Sequence, residues 1–226
     1  MSLDKGREAW ETNAVFWDDY MGDESNYFHC DMVRPSTEKL LDVKFGDFIL
    51  DIACGSGNFS AYLAKRGVRV VAFDYSEKMI ELAKKRRHDV LDYVSFNVCD
   101  ATEYEELMSL KCERLFDKAV ANMAIMDIAR IEPLFKAVYE MLVDGGSFVF
   151  ATHHPAFTFE RGDYFTSCIN KGDAIEGQPR KQNYYHRSMQ DILNVGFKAG
   201  FVCDGFYEVP FPNETVPIIM IVRMKK

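Results

Sequence analysis

Five apolar runs alternate with helix-like segments between residues 48 and 154, and this alternation constrains the fold more than any other feature of the chain. The runs have the length and composition of buried strands: FILDIA, VRVVAFD, YVSFNVCD, FDKAVANMA and GSFVFATHH. Segments with helical spacing lie between them, such as NFSAYLAKR and SEKMIELAKKRR. Strands that alternate with helices of this length predict βαβ units and a parallel sheet.

The two ends of the chain have a different pattern. Residues 1–30 are rich in aromatic side chains and predict one or two short helices. Residues 155–183 combine glycines and mixed charges, which is typical of an insertion or lid. We expect a single domain over residues 1–226. Its parts would be an N-terminal cover (1–36), a core (37–154), an insertion or lid (155–185), and a C-terminal helix and strand pair (186–226).

Composition narrows the class of protein. The 226 residues carry a formal net charge of −8, which argues against a nucleic-acid partner. No apolar run reaches about 18 residues, so no membrane partner is expected. The six cysteines form no C-x-x-C pair, which argues against a zinc site and favours reduced thiols in the cytoplasm. We therefore expect a cytoplasmic protein with a small-molecule partner and no metal.

A glycine turn follows the first predicted strand, in the sequence ILDIACGSGN. Such a turn lets a ligand approach the backbone, and ligands of open parallel sheets bind beyond the carboxyl ends of the strands. A phosphate-binding P-loop would need a Lys-Ser/Thr pair after the turn, which is missing. The dinucleotide pattern G-x-G-x-x-G is incomplete, because Ser60 stands at its third position.

Three aspartates accompany this turn. Asp51 lies inside the first apolar run, and Asp74 and Asp100 end the second and third runs. The distance from the turn to Asp74 is typical of a carboxylate that accepts hydrogen bonds from ribose hydroxyls. Three carboxylates around one glycine turn favour a cationic or hydroxylated ligand without phosphate, such as a sulfonium nucleoside. Asp74 as a helix cap and Asp100 as a turn residue remain alternatives.

The segments ILDIACGSGN, VVAFDYSEKMIELAKKR, FNVCDAT and FDKAVANMA together resemble the class I S-adenosylmethionine-dependent methyltransferases, in consistent order over residues 45–152. The resemblance implies an α/β fold with a doubly wound, mostly parallel seven-stranded sheet whose last strand is antiparallel. It also implies S-adenosylmethionine as cofactor. The cofactor-binding residues that it implies are Asp51, Ala53, Cys54, Gly55, Ser56, Gly57, Asp74, Tyr75, Ser76, Met79, Asp100, Ala101, Asn122 and Met123.

Within that set, Asp51 and the backbone of 53–57 would hold the methionine end, and Asp74 the ribose. Tyr75 and Met79 would flank the adenine, although Met79 fits a plain core position equally well. Ala53 departs from the family, which most often has glycine there. We expect this methyl group to shift the turn slightly without loss of binding.

Methyl transfer from a sulfonium depends mainly on alignment and on exclusion of water, so no fixed catalytic triad is required. His153 and His154, at the end of the fifth run, are candidates for binding the acceptor or taking its proton. Adjacent strand residues point to opposite faces, so one of the two rings is expected to pack instead. Candidates for acceptor contact or lid closure are Trp17, Tyr20, Phe28 and Arg34.

The predicted function is methyl transfer to the oxygen or nitrogen of a small or medium-sized acceptor. The fourth run ends in ANMA and lacks the Asn/Asp-Pro-Pro-aromatic sequence of amino-methylating nucleic-acid enzymes. One alternative is a nicotinamide-dependent oxidoreductase, which Ser60 and Asp51 count against. Another is a protein that binds the cofactor without transferring its methyl group.

Overall fold

The computed structural model describes residues 4–157 and 163–226 of the chain. Residues 1–3 of the predicted N-terminal cover and residues 158–162 of the predicted insertion lie outside the described residues. The strands are β1 (Phe48–Ile52), β2 (Arg69–Asp74), β3 (Val94–Val98), β4 (Phe116–Asn122), β5 (Leu142–His153), β6 (Cys168–Gly172), β7 (Gln182–His186), β8 (Val202–Pro210) and β9 (Pro217–Lys225). The α-helices are α1 (Asp4–Met21), α2 (Arg34–Leu41), α3 (Asn58–Ala64), α4 (Glu77–Arg86), α5 (Tyr104–Ser109), α6 (Glu132–Met141) and α7 (Met189–Ala199).

The main sheet of the described residues has seven strands in the order β3-β2-β1-β4-β5-β9-β8. The strands β1 to β5 pair in parallel, whereas β9 is antiparallel to both β5 and β8. The strand order reverses beside β1, which lies between β2 and β4. The predicted seven-stranded sheet with an antiparallel last strand is confirmed, and its switch point places the glycine turn where a ligand can enter.

Both faces of this sheet are buried, which explains why its strands are apolar runs rather than alternating ones. Along β5, Phe148 and Phe150 join one core cluster, while Val149 and Ala151 join the cluster on the opposite face. The ring of Phe135 from α6 packs edge-on against Phe148, with centroids 5.1 Å apart. The two layers hold the strand ends in fixed positions around the switch point.

Helix α4 shows how local sequence sets an element boundary. The Ser76 hydroxyl accepts a hydrogen bond from the Met79 backbone N–H at 3.0 Å, which caps the first turn. Met79, Ile80 and Ala83 are buried, as the helical spacing predicts. The cap at Ser76, two residues after Asp74, therefore sets where α4 begins.

The N-terminal cover and the insertion that follows β5 lie over the carboxyl ends of the strands; these two segments are the covers of the cavity. Helix α1 packs along α4, and a π-helix (Phe28–Val33) leads from it into α2. Within the predicted insertion, β6 and β7 pair as an antiparallel hairpin, which the sequence did not predict. None of the described helices has the length and apolar character needed to span a bilayer.

Candidate functional site

A cavity of about 790 Å³ lies at the carboxyl ends of β1 to β5, between the sheet and the two covers. Seventeen of the twenty site residues that the sequence predicts line it: Trp17, Tyr20, Phe28, Arg34, Asp51, Ala53, Cys54, Gly55, Ser56, Asp74, Tyr75, Met79, Asp100, Ala101, Asn122, Met123 and His153. The other three, Gly57, Ser76 and His154, are not among its lining residues. Residues from strand ends that are far apart in sequence thus line the same cavity. Its volume is typical of small-molecule sites, which measure about 300–1,000 Å³.

The turn after β1 presents backbone to this cavity. Its residues Ala53, Gly55 and Gly57 all have positive φ values, of 52°, 54° and 75°. A Cβ atom at Gly55 would meet only Trp17 Nε1, at 3.6 Å, whereas one at Gly57 would lie 2.7 Å from the Phe96 ring. Gly57 is therefore required for packing, and Gly55 leaves the turn open to a ligand.

Asp74 connects this turn to the start of α4. Its Oδ2 accepts from the Gly55 N–H and its Oδ1 from the Ser76 N–H, both at 3.0 Å. Burial raises the pKa of this carboxyl from 3.8 to about 6, against the opposing effect of the backbone hydrogen bonds. Asp74 therefore stabilises the start of α4 through the Ser76 N–H and also lines the cavity.

Asp51 lies deeper, inside β1, and is almost fully buried. The Ser60 hydroxyl donates to its Oδ2 at 2.5 Å. Burial raises the pKa of Asp51 to about 7, the Ser60 hydrogen bond opposes this, and the Asp74 charge raises it further. Ser60, which breaks the dinucleotide pattern, thus partners the carboxyl that the strand carries.

Asp100 makes a tight turn at the end of β3. Its Oδ1 accepts from both the backbone N–H and the hydroxyl of Thr102, each at 2.8 Å. The alternative prediction that Asp100 is a turn residue is therefore confirmed. Because Asp100 and Ala101 also line the cavity, the turn leaves them beside it.

Two buried polar atoms on the cavity wall have no hydrogen-bond partner among the described residues. They are Nε of Arg34 and Oδ1 of Asn122. The Arg34 guanidinium otherwise lies 4.4 Å from the ring centre of Tyr62 and donates from Nη2 to the Glu24 carbonyl oxygen. A buried donor or acceptor without a partner costs about 1–3 kcal/mol, so a ligand that pairs with either atom gains that energy.

The adjacent histidines at the end of β5 separate, as strand geometry predicts. His153 lines the cavity, with Phe157 and Tyr184 as ring neighbours, and burial lowers its pKa to about 4. His154 instead contacts Glu208 through Nε2 at 2.9 Å and accepts from the Ala156 N–H at Nδ1. Both ring nitrogens of His154 are engaged in the fold, which leaves His153 as the member of the pair that faces a ligand.

The structure adds cavity residues that the sequence analysis missed. His29 comes from the π-helix, Asp127 from the loop after β4, and Gln182, Tyr184 and Tyr185 from β7. Burial raises the pKa of Asp127 well above its ordinary range, while a long hydrogen bond from Gln182, of 3.4 Å, opposes this. The only sequence signal for Asp127 is its place five residues after the predicted Asn122, and the hairpin residues gave none.

The covers are also joined to each other. The Asn13 side chain in α1 donates to the Arg180 carbonyl oxygen at 2.7 Å and accepts from the Arg180 N–H at 2.9 Å. Arg187, which follows β7, donates from Nη2 to the carbonyl oxygens of Ile128 and Ala129. These bonds fix the hairpin to α1 on one side and to the loop after β4 on the other.

Comparison with known proteins agrees with this geometry. A family model described as a methyltransferase domain matches residues 49–146. A demethylmenaquinone methyltransferase of Paenarthrobacter aurescens is 29% identical over 195 residues, which cover 82% of this chain and 72% of the relative. An uncharacterized protein of Haemophilus influenzae is 26% identical over 155 residues, and that match spans 68% of this chain but only 57% of the relative.

Among solved structures, a Burkholderia thailandensis 1,6-didemethyltoxoflavin-N1-methyltransferase superimposes with a TM-score of 0.65. The match covers 97% of this chain and 86% of that one at 18% sequence identity, so it establishes a shared fold. That structure contains bound 1,6-didemethyltoxoflavin and S-adenosylhomocysteine.

Proposed function

We propose that this chain, a class I S-adenosylmethionine-dependent methyltransferase, transfers a methyl group to an oxygen or nitrogen atom of a small acceptor by in-line displacement. The observation that carries the proposal is the open backbone of Gly55, held by Asp74, at the edge of a cavity that both covers enclose. Relatives named for menaquinone and toxoflavin precursors support a small acceptor.

The residues of the cavity fit S-adenosylmethionine. The Gly55 backbone accommodates close approach of a ligand, and the unpartnered Asn122 Oδ1 offers an acceptor for a polar group. The unpartnered Arg34 Nε is matched to a carboxylate such as that of the amino-acid tail. Buried carboxyls with raised pKa values at Asp51 and Asp74 favour a ligand that carries positive charge.

In this arrangement Asp51 and residues 53–57 would hold the methionine end, and Asp74 would accept from the ribose hydroxyls. Tyr75 and Met79 would flank the adenine, and Asp100 would accept from its amino group. Asn122 and Met123 would lie beside the sulfur, while Gly57 would support the turn and Ser76 the start of α4. When bound, the cofactor supplies a methyl group on a positively charged, readily displaced sulfur.

The chain's own contribution to the reaction is alignment and exclusion of water. The N-terminal cover places Trp17 over the Gly55 turn, and the hairpin places the Tyr184 ring 5.3 Å, centre to centre, from the His153 ring at the end of β5. An acceptor held between these side chains would point its nucleophilic atom at the methyl group along the carbon–sulfur axis. Such alignment accounts for most of the rate in a transfer whose leaving group is already activated.

We place this activity in the cytoplasm. All six cysteines have free thiols, which supports a reducing compartment. The expected single domain, with its covers at 1–36 and 155–185, remains part of the proposal.

Titration calorimetry with S-adenosylhomocysteine tests the cofactor site. We expect binding by the wild-type protein and weaker binding by Gly55→Ala, because the added methyl group occupies the approach to the turn. Gly46→Ala is the matched control, since Gly46 also has a positive φ (84°) and open space around a Cβ but lies outside the cavity lining. Absence of binding by the wild-type protein, or equal loss in the two variants, would contradict the proposed site.

A further inference from the structure

We propose that His29 is a catalytic residue that takes the proton of the methyl acceptor, and that the acceptor is an aromatic compound with an acidic hydroxyl group. This inference rests on the proposed function and specifies its substrate class. It depends on four observations at the cavity wall: the hydrogen bonds of His29, its neighbouring rings, its charge state and the character of the surrounding wall.

The hydrogen bonds of His29 fix its tautomer. Asn26 Oδ1 accepts from the His29 backbone N–H at 3.0 Å and lies 2.9 Å from the ring Nδ1. The backbone donor identifies this Asn26 atom as the oxygen, so Nδ1 carries the hydrogen that it receives. Nε2 then carries a lone pair, and none of the hydrogen bonds that His29 makes within residues 4–157 and 163–226 uses this atom.

Aromatic neighbours hold the His29 ring in place. The Trp17 ring meets it at 88° with centroids 5.8 Å apart, and the Phe28 ring at 75° with centroids 5.4 Å apart. His29 also lies in a π-helix, a geometry that is rare and often marks functional positions. The ring is therefore oriented before any acceptor binds.

The surroundings of His29 keep it neutral. Burial, the nearby Arg34 charge and His153 together lower the pKa of His29 to about 4. Above that pH the imidazole is neutral, so Nε2 offers a lone pair to the acceptor hydroxyl and can take its proton once the new O–C bond makes that proton strongly acidic.

The wall around His29 and His153 is aromatic. Phe28, Phe157, Tyr184 and Phe211 line the cavity there, with Phe28 and Phe211 in ring contact at 6.5 Å. Aromatic rings on several sides favour a planar aromatic acceptor, because contacts between aromatic rings add binding energy beyond that of burying their apolar surface. A planar ring with an acidic hydroxyl group satisfies both this wall and the lone pair of Nε2.

The step balances without a further reactant. The acceptor oxygen forms the new O–C bond with a lone pair, while the S–C bond breaks and its electron pair stays on sulfur. The O–H proton passes to His29 Nε2, giving the imidazolium, which later releases it to solvent. The products are the methyl ether and S-adenosylhomocysteine.

Two chromophores of matched shape test the substrate class on the protein loaded with S-adenosylhomocysteine. We expect para-nitrophenol to bind about fivefold more tightly than para-nitroaniline, the scale of one hydrogen bond between neutral groups. Visible absorbance of the nitrophenol should also show a raised apparent pKa on binding, because a neutral Nε2 accepts a hydrogen bond from the protonated hydroxyl and cannot donate one to the phenolate. Equal affinities, or no binding of para-nitrophenol to the loaded protein, would overturn the inference, whereas failure of S-adenosylhomocysteine to bind would refute the proposed function itself.

Variants at two positions separate catalysis from structure. His29→Gln should abolish the preference for nitrophenol while S-adenosylhomocysteine affinity stays unchanged, and His88→Gln, at an exposed histidine outside the cavity, should preserve both.

Asn26 is a positioning residue. Asn26→Asp should keep nitrophenol binding but shift its lower pH limit upward, because a carboxylate beside Nδ1 raises the pKa of His29. Asn26→Ala should weaken binding, and an unshifted pH profile in Asn26→Asp would contradict the assigned tautomer.

Discussion

The Asp74 carboxylate accepts a hydrogen bond from the Gly55 backbone N–H, with Oδ2 and the nitrogen 3.0 Å apart. The side chain proposed to hold the ribose therefore also holds the turn that receives the rest of the cofactor. A second bond, from the Ser76 N–H to Oδ1, ties the same carboxylate to the start of α4. In the proposed site, ligand recognition and local structure would thus share one residue at the switch point of the sheet.

Replacing Asp74 should weaken the cofactor site. We expect Asp74→Ala to lower the affinity for S-adenosylhomocysteine by about 1–3 kcal/mol, because charge-assisted hydrogen bonds to the ribose are lost. Titration calorimetry measures this, with circular dichroism to show that the fold persists. Asp92→Ala, at an exposed position outside the cavity, is the control and should leave affinity unchanged. Unchanged affinity in Asp74→Ala would remove Asp74 from the site.

The residues proposed to hold the cofactor could be predicted to share one cavity because they lie in local sequence patterns. Strand ends, a glycine turn and a helix cap are each visible within about ten residues of sequence, and parallel strands bring them to one edge. The family prediction made from them is confirmed by the matched methyltransferase domain. Fold and cofactor therefore follow from short-range signals.

The acceptor half could not be anticipated in the same way. The strands β6 and β7 have the sequences CINKG and QNYYH, which are largely polar and only partly buried, so neither shows the apolar run of a core strand. His29 is a single histidine in an aromatic segment, and its tautomer depends on Asn26 and on Trp17 from another helix. Such features arise from tertiary packing, which one sequence does not display.

The ligand-free protein should lose stability as the pH rises towards 7 because of Asp51. Its pKa rises from 3.8 when exposed to about 7 in the fold, chiefly through burial. Between these values the folded chain binds more protons than the unfolded chain, so this residue makes the free energy of unfolding fall with increasing pH. Below about pH 4 and above about pH 7 its contribution is constant.

Asp51→Asn isolates that effect, since the amide is nearly isosteric and its oxygen still accepts from Ser60. We expect urea denaturation at pH 5 and pH 7.5 to show a smaller fall in stability for Asp51→Asn than for the wild-type protein. His29 and His153 titrate in both proteins and cancel in the difference. An identical pH dependence in the two proteins would mean that Asp51 is already ionised in the folded state at pH 5.

The bond between the two covers should control release of the cofactor product. Asn13→Ala removes both hydrogen bonds to the Arg180 backbone, each worth about 1 kcal/mol. We expect S-adenosylhomocysteine to dissociate about tenfold faster, the equivalent of about 1.4 kcal/mol. Stopped-flow fluorescence can follow this, because Trp10 and Trp17 line the cavity.

Arg180→Ala is the matched control for that experiment. It removes the exposed ion pair with Glu8 but keeps the backbone groups that Asn13 contacts. Exposed ion pairs contribute about 0–1 kcal/mol, so the dissociation rate should change little. Equal rates for Asn13→Ala and the wild-type protein would show that product leaves by a path that does not separate the covers.

The left-handed backbone at Ala53 makes a last prediction possible. Its φ of +52° is a conformation that costs an L-residue about 1–2 kcal/mol, and glycine avoids this cost. Glycine also loses more entropy on folding, by about 0.4–1 kcal/mol, so Ala53→Gly should raise the free energy of unfolding by up to about 1.6 kcal/mol. Denaturant titration measures the change, and Ala199→Gly in helix α7 should shift stability the opposite way.

Because the alanine already adopts the conformation that glycine would take, the turn keeps its shape and S-adenosylhomocysteine affinity should not change. A destabilised Ala53→Gly would mean that the Ala53 methyl group contributes packing worth more than its backbone strain.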